Sequence, residues 1–184
     1  MNYCEIKEYD IANGPGIRLC LFVSGCSHHC KNCFQPQTWD PNYGKEFTSE
    51  VMENILELLS DDSYQGITLL GGEPLEPYNQ AGLLPLIREF KRRYPGKDVW
   101  CFTGYLYDED VLGKMLDNIP ETRELLSLID VLVDGEFKEE LKDITLLFKG
   151  SSNQRTIDVK RSLNEGKVIE WDPQGISMSG CSHL

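Results

Sequence analysis

"GITLLGGEP" occupies residues 66–74. Residues 66–70 form a short, mostly apolar run that reads as a buried β-strand. Gly71 and Gly72 end it, and Pro74 opens the next segment. On either side the same grammar repeats. "IRLCLFV" (17–23), "DVWCFTG" (98–104) and "LIDVLVDG" (128–135) read as further strands, with "ITLLFKG" (144–150) as a possible fifth. Between them lie helical patterns. Residues 48–59 open on Thr48 and Ser49, either able to cap, and place Val51, Ile55 and Leu58 on one face. Residues 83–94 begin near Pro85, turn Leu83, Ile87 and Phe90 inward, and end in Lys91, Arg92 and Arg93, where cations suit the helix dipole. Residues 108–117 and 154–163 complete the helical set. Strand and helix in alternation predict an α/β fold built on a parallel sheet. Chemistry in such folds gathers at the carboxyl ends of the strands. Here those ends read "SGC", "GGEP", "FTGY" and "VDGEF". At 184 residues the chain is short for eight βα units, which predicts a partial (β/α) barrel with outer helices.

The composition narrows the function. Hydrophobic residues make up 40% and charged residues 26%, an ordinary globular balance. Thirty acidic residues against eighteen basic ones leave a net charge of −12. That charge argues against a nucleic-acid partner, because phosphate binding needs Lys and Arg. The longest apolar stretch is too short to span a bilayer, so no membrane partner is expected. Acids among the first ten residues and no apolar segment after them predict a cytoplasmic protein. Seven cysteines in a reducing compartment point to metal or redox chemistry before disulfides.

Three of the seven stand together in "GCSHHCKNCF" (25–34): Cys26, Cys30 and Cys33, spaced C-x3-C-x2-C. Thiolates hold iron–sulfur clusters or zinc. Three thiolates on a four-iron cluster leave one iron open to an external chelating molecule. The alternative is a zinc site completed by His28, His29 or a distant cysteine. His28 and His29, cramped between ligating cysteines, are expected to point to solvent. Cys4, Cys20 and Cys101 read as small buried hydrophobes.

The cysteine loop after one strand and GGEP after the next together resemble the radical S-adenosylmethionine superfamily. "DIANGPGIR" (10–18), "LFVSGC" (21–26), "CFQPQTW" (33–39), "FTGY" (102–105), "VLVDGEF" (131–137) and "KGSSNQRTIDVKRSL" (149–163) extend the likeness to glycyl radical enzyme activases. Asn13 before Gly14 and the "SSNQR" segment resemble the branch serving anaerobic ribonucleoside-triphosphate reductase. The resemblance covers most of residues 2–172. It implies a [4Fe-4S] cluster on Cys26, Cys30 and Cys33 whose open iron chelates S-adenosyl-L-methionine. One electron then cleaves the S–C5′ bond, and the deoxyadenosyl radical takes a hydrogen from a glycine of the reductase. It also implies a one-electron donor such as a flavodoxin or ferredoxin.

By the same resemblance Asn32, Cys33 and Phe34 would lie near the adenine. Gly71, Gly72 and Glu73 would meet the methionyl ammonium. Thr103, with Gly104, would reach the ribose or sulfonium region or else only end its strand in a turn, and Asp134 would face the ligand or the incoming glycine loop, or cap a turn. Trp39, just after the cysteine loop, would by its position shield the cluster or else pack in the core or at an interface. Asn13, Gly14, Pro15, Gly16 and Arg18 would shape the substrate side, with a structural ion pair as the other role open to Arg18. The sequence departs from the pyruvate formate-lyase activases two positions after Asp134, where they have Lys and this chain has Glu136. Residues 1–173 are expected to form the activase domain and 174–184 a polar tail carrying Cys181 and His183. Rival readings are an activase of another glycyl radical enzyme, a 7-carboxy-7-deazaguanine synthase-like enzyme, or a zinc or iron–sulfur binding module without catalysis.

Overall fold

A computed structural model describes residues 1–173. The expected tail, with Cys181 and His183, lies outside the described residues. Among these residues the fold is mixed α/β, with one seven-stranded sheet. Its strands are β1 (Asn2–Asp10), β2 (Ile17–Val23), β3 (Lys45–Glu46), β4 (Tyr64–Gly71), β5 (Asp98–Phe102), β6 (Val131–Asp134) and β7 (Arg155–Asp158). The order across the sheet is β3-β1-β2-β4-β5-β6-β7. The four central strands, β2-β4-β5-β6, are parallel as predicted. The flanks correct the all-parallel expectation, because β1, β3 and β7 pair antiparallel.

Side-chain alternation sorts the sheet into two faces. Leu19, Leu21, Val23, Ile67, Leu69, Val99, Cys101 and Leu132 join one core with α1 (Ser49–Leu58), α2 (Pro77–Arg93) and α4 (Pro120–Leu128). Full burial of each such Leu, Ile or Val stabilises the fold by roughly 1.5–3 kcal/mol. The intervening residues form two smaller clusters on the other face. Cys20, Phe22 and Leu70 make one, and Trp100, Val131 and Val133 the other. That second face carries no large helix, and the cavity described below opens on it.

Local chemistry sets most boundaries. Thr48 caps α1, its hydroxyl accepting from the Val51 N–H at 3.3 Å. The helix predicted over 83–94 begins earlier, with Pro77 in its first turn, so Pro85 sits in the interior and removes one i→i−4 bond. Residues 107–115 wind as a π-helix and pass into a single α-turn, α3 (Leu116–Asn118). Residues 144–150, expected as a strand, are a loop. β7 already pairs with the edge of β6 that such a strand would need. Only the second half of 154–163 is helical: α5 (Val159–Glu165) starts where the Asp158 side chain caps Arg161, and the residues before it are β7.

Arg18 resolves toward structure. It is wholly buried on the open face of β2, pairs with Asp98, and donates to the Thr68 hydroxyl at 2.7 Å and the Ile67 carbonyl at 3.0 Å. Its guanidinium lies 5.6 Å from the Trp100 ring centre. Cys20 and Cys101 are fully buried as expected, while Cys4 is half-buried.

Candidate functional site

The carboxyl ends of the parallel strands converge as the sequence implied. The loops after β2, β4, β5 and β6 surround a cavity of about 510 Å³, a size ordinary for a small-molecule site. Cys26, Cys30 and Cys33 all line it, together with Asn32, Phe34, Gly71, Gly72, Glu73, Thr103 and Gly104. Leu70 and Phe102 form its floor from the open face of the sheet, with Phe137 and Phe148 nearby. Asn13 reaches it from the loop before β2.

The cysteine loop owes its shape to two residues in the left-handed region. His29 (φ 50°) turns the chain before Cys30, and Asn32 (φ 57°) turns it before Cys33. The Cys33 N–H closes the second turn on the Cys30 carbonyl at 3.1 Å. At its base the loop is sewn to the turn after β4. The Gly72 N–H donates to Val23 at 2.8 Å and the Glu73 N–H to Gly25 at 2.8 Å, while Asn79 bonds the carbonyls of Ser24 and Glu73. Gly72 is glycine because a Cβ there would stand 2.5 Å from the Gly25 carbonyl oxygen. The "SGC" and "GGEP" stretches are thus two halves of one contact.

In the metal-free chain, burial pushes the Cys26 thiol up to about 11, and the Glu73 carboxylate adds to it. Burial also raises Cys30, with Glu136 contributing. A positively charged metal centre is what would turn these thiols into thiolates. Among the described residues, no three His, Cys, Asp or Glu side chains converge tightly enough for a single metal ion. Three half-exposed cysteines of one loop facing one cavity are a donor set suited to an iron–sulfur cluster.

Three expected cofactor contacts, Glu73, Thr103 and Asp134, are engaged within the protein. Glu73 is 1% exposed and takes four hydrogen bonds. One oxygen accepts from the Leu75 N–H and the Thr103 hydroxyl, both at 2.8 Å. The other accepts from the Gly104 N–H at 2.8 Å and from His28 Nε2 at 3.1 Å. The carboxylate therefore braces the ends of β4 and β5 and has no free lone pair directed at the cavity. Thr103 lines the cavity, but its hydroxyl proton belongs to Glu73. Asp134 is fully buried and not part of the lining. It accepts from the Tyr107 N–H and pairs with Arg155, so it serves the β6–β7 junction.

His28 reverses its expectation. Its side chain is 9% exposed rather than solvated. Nε2 meets Glu73, and Nδ1 meets Glu136 at 2.9 Å. Both partners are carboxylates and only accept, so both ring nitrogens donate. Burial draws the imidazole pKa down, yet the two carboxylates override it and hold it near 9. His29 lies on Trp39, ring centres 4.6 Å apart, and Trp39 lines the cavity. Phe34 is 81% exposed, at the rim. Sequence reasoning also missed the far wall, where Ile144, Leu146, Phe148 and Lys149 belong to the loop read as a possible strand and Lys142 comes just before it.

Comparison with known proteins agrees with this geometry. Residues 12–157, which contain every cavity contact named above, match the family described as the 4Fe-4S single cluster domain. The chain is 44% identical over 156 residues to the anaerobic ribonucleoside-triphosphate reductase-activating protein of Escherichia coli K12, covering 84% of this chain and 96% of that one. The protein of the same name from Vibrio cholerae is 41% identical over 156 residues, with the same coverage. That of phage T4 is 40% identical over 155 residues, covering 84% and 92%.

Proposed function

This chain belongs to the 4Fe-4S single cluster domain family and to the anaerobic ribonucleoside-triphosphate reductase-activating proteins within it, and from that premise we propose that it is a radical S-adenosylmethionine activase of such a reductase. Cys26, Cys30 and Cys33 hold the [4Fe-4S] cluster in this reading and leave one iron for the cofactor. When bound, the cluster and S-adenosyl-L-methionine together supply a one-electron reductive cleavage and a hydrogen abstraction that leaves a radical on a glycine of the reductase. The sheet is then the open form of a partial barrel, which its four parallel central strands and one-sided helices support.

The chain's own residues bind, orient and exclude water. Gly71 and Gly72 present backbone at close approach, where a side chain would collide, and would receive the methionyl end. Asn32 and Phe34, beside Cys33, would flank the adenine. Leu70, Phe102, Phe137 and Phe148 make an apolar wall that keeps water from the reacting centre. Glu73, Thr103 and Asp134 enter the reading as supports of that cavity, through the bonds described above. A one-electron donor of flavodoxin or ferredoxin type completes the cycle. No helix among the described residues is long and apolar enough to cross a membrane.

One observation carries the reading: three cysteines of one loop and the GGEP turn line the same cavity. The test is anaerobic reconstitution followed by mixing with an anaerobic reductase, S-adenosylmethionine and dithionite. The reading expects about four iron and four sulfide per chain, 5′-deoxyadenosine and methionine as products, and a glycyl radical signal by electron paramagnetic resonance. Stoichiometric zinc, or cluster-loaded protein that leaves the cofactor intact, overturns it.

A further inference from the structure

His28 and Glu136 meet across the mouth of the cavity, 108 residues apart in the chain. The contact is built from both sides. The His28 ring lies against the Gly104 backbone so closely that a Cβ there would sit 2.6 Å from the ring. Tyr105 closes on it edge-on, ring centres 4.4 Å apart, and Glu73 holds Nε2. Opposite, Asn153 and Gln154 donate to the carbonyls of Glu136 and Gly135, both at 2.9 Å, so the segment that offers the carboxylate is itself held. The next residue, Phe137, lines the same cavity as Cys30. The cysteine loop is thus pinned at His28 to the ends of three strands, between the first two cysteines. Ser27 beside it makes a second tie, its hydroxyl and N–H both donating to Glu76, so the latch acts together with that contact.

We infer that His28 and Glu136 form a latch that positions the cysteine loop, with Glu136 as its anchor on the far side. Glu136 acts through His28 and is a positioning residue. The inference rests on the reading that this loop carries the cluster, but its first test needs no cluster.

The test compares wild type, Glu136→Ala, Glu136→Gln, His28→Ala and the double Ala variant. In iron-free protein, the rate at which a thiol reagent alkylates Cys26, Cys30 and Cys33 is followed by peptide mass spectrometry. In reconstituted protein, iron release to a chelator is followed. The Glu136 side chain is half-exposed, and an unchanged melting temperature separates a local effect of its variants from unfolding. Glu136→Ala should speed both processes about fivefold, the scale of one partly exposed charged contact. Glu136→Gln, which keeps an acceptor for Nδ1–H, should restore most of the loss. In the His28→Ala background, Glu136→Ala should add nothing. Wild-type alkylation in Glu136→Ala, no rescue by Gln, or an equal effect without His28 overturns the latch. If His28→Ala does not fold, the Ala and Gln pair at 136 still decides. Protein that never holds iron would defeat the proposed function, while the alkylation arm still reads the latch.

Discussion

Replacing Glu73 by Gln separates two roles that the motif alone leaves open. The carboxylate takes four donors, two on each oxygen, at 2.8 to 3.1 Å, in a site 1% exposed. Glutamine has nearly the same shape but one acceptor oxygen. Its amide nitrogen must face either the Leu75 and Thr103 donors or the Gly104 and His28 donors. The Thr103 hydroxyl can turn to accept from the amide, and so can His28 Nε2 in the neutral tautomer, so one buried backbone donor, the Leu75 or the Gly104 N–H, is left without a partner at a cost of about 1–3 kcal/mol. The expected loss is therefore about 2 kcal/mol, present before any cofactor binds. With a urea dependence of about 2 kcal/mol per molar, the unfolding midpoint of the iron-free protein should fall by about 1 M. The assay is equilibrium urea unfolding followed by circular dichroism, alongside the KM for S-adenosylmethionine of the reconstituted variant. Were Glu73 instead an ammonium ligand, the free chain would keep its midpoint and only KM would climb. An unchanged midpoint with a raised KM refutes the bracing argument.

Other consequences follow from neighbouring contacts. Gly72→Ala places a Cβ 2.5 Å from the Gly25 carbonyl, which cannot retreat without breaking its 2.8 Å bond from the Glu73 N–H. A loss of about 1–3 kcal/mol and poor iron incorporation are expected by thermal melting and iron analysis, whereas Gly96→Ala, with open space around it, should incorporate iron normally. Arg155→Ala strips the buried Asp134 of its cation. An unpaired buried carboxylate costs about 3–5 kcal/mol, to be read by urea unfolding, and Asp134→Asn in the same chain should recover part of it. Asp130 gives a pH dependence. Burial pushes its carboxyl up, but Lys160, Lys91 and the Val99 N–H outweigh that and hold it below the ordinary value of 3.8. A depressed folded pKa stabilises above the unfolded value and is lost as pH falls through the folded one. Asp130→Asn should therefore melt lower than wild type at pH 6, and the gap should close as pH falls below 3.8. A gap that is constant with pH would rule out the ion pair as its source.

The sequence by itself determined what depends on short range and on period. The apolar runs at 17–23, 66–71 and 98–102 became parallel neighbours, and the glycine-rich ends of those strands met at one rim, because a parallel sheet carries all its strand ends to the same edge. The spacing of Cys26, Cys30 and Cys33 sufficed to place three thiols in one loop. Local pattern failed where a distant partner decided the outcome. Residues 144–150 are apolar enough for a strand, yet β7, anchored by Arg155 on Asp134, holds the only vacant edge of β6. β1 escaped notice because five of its nine residues between Asn2 and Asp10 are charged or amide, as suits a strand near the sheet's margin with much of its surface wet. The chemistry of individual side chains was decided by tertiary structure alone. Glu73 and Asp134 look like free carboxylates at a rim until their donors are counted, and His28 looks solvated until Glu136 arrives from the far end of the domain. A buried charged or polar group is stable only with its partners in place, and those partners come from strands that the chain reaches far later in its course.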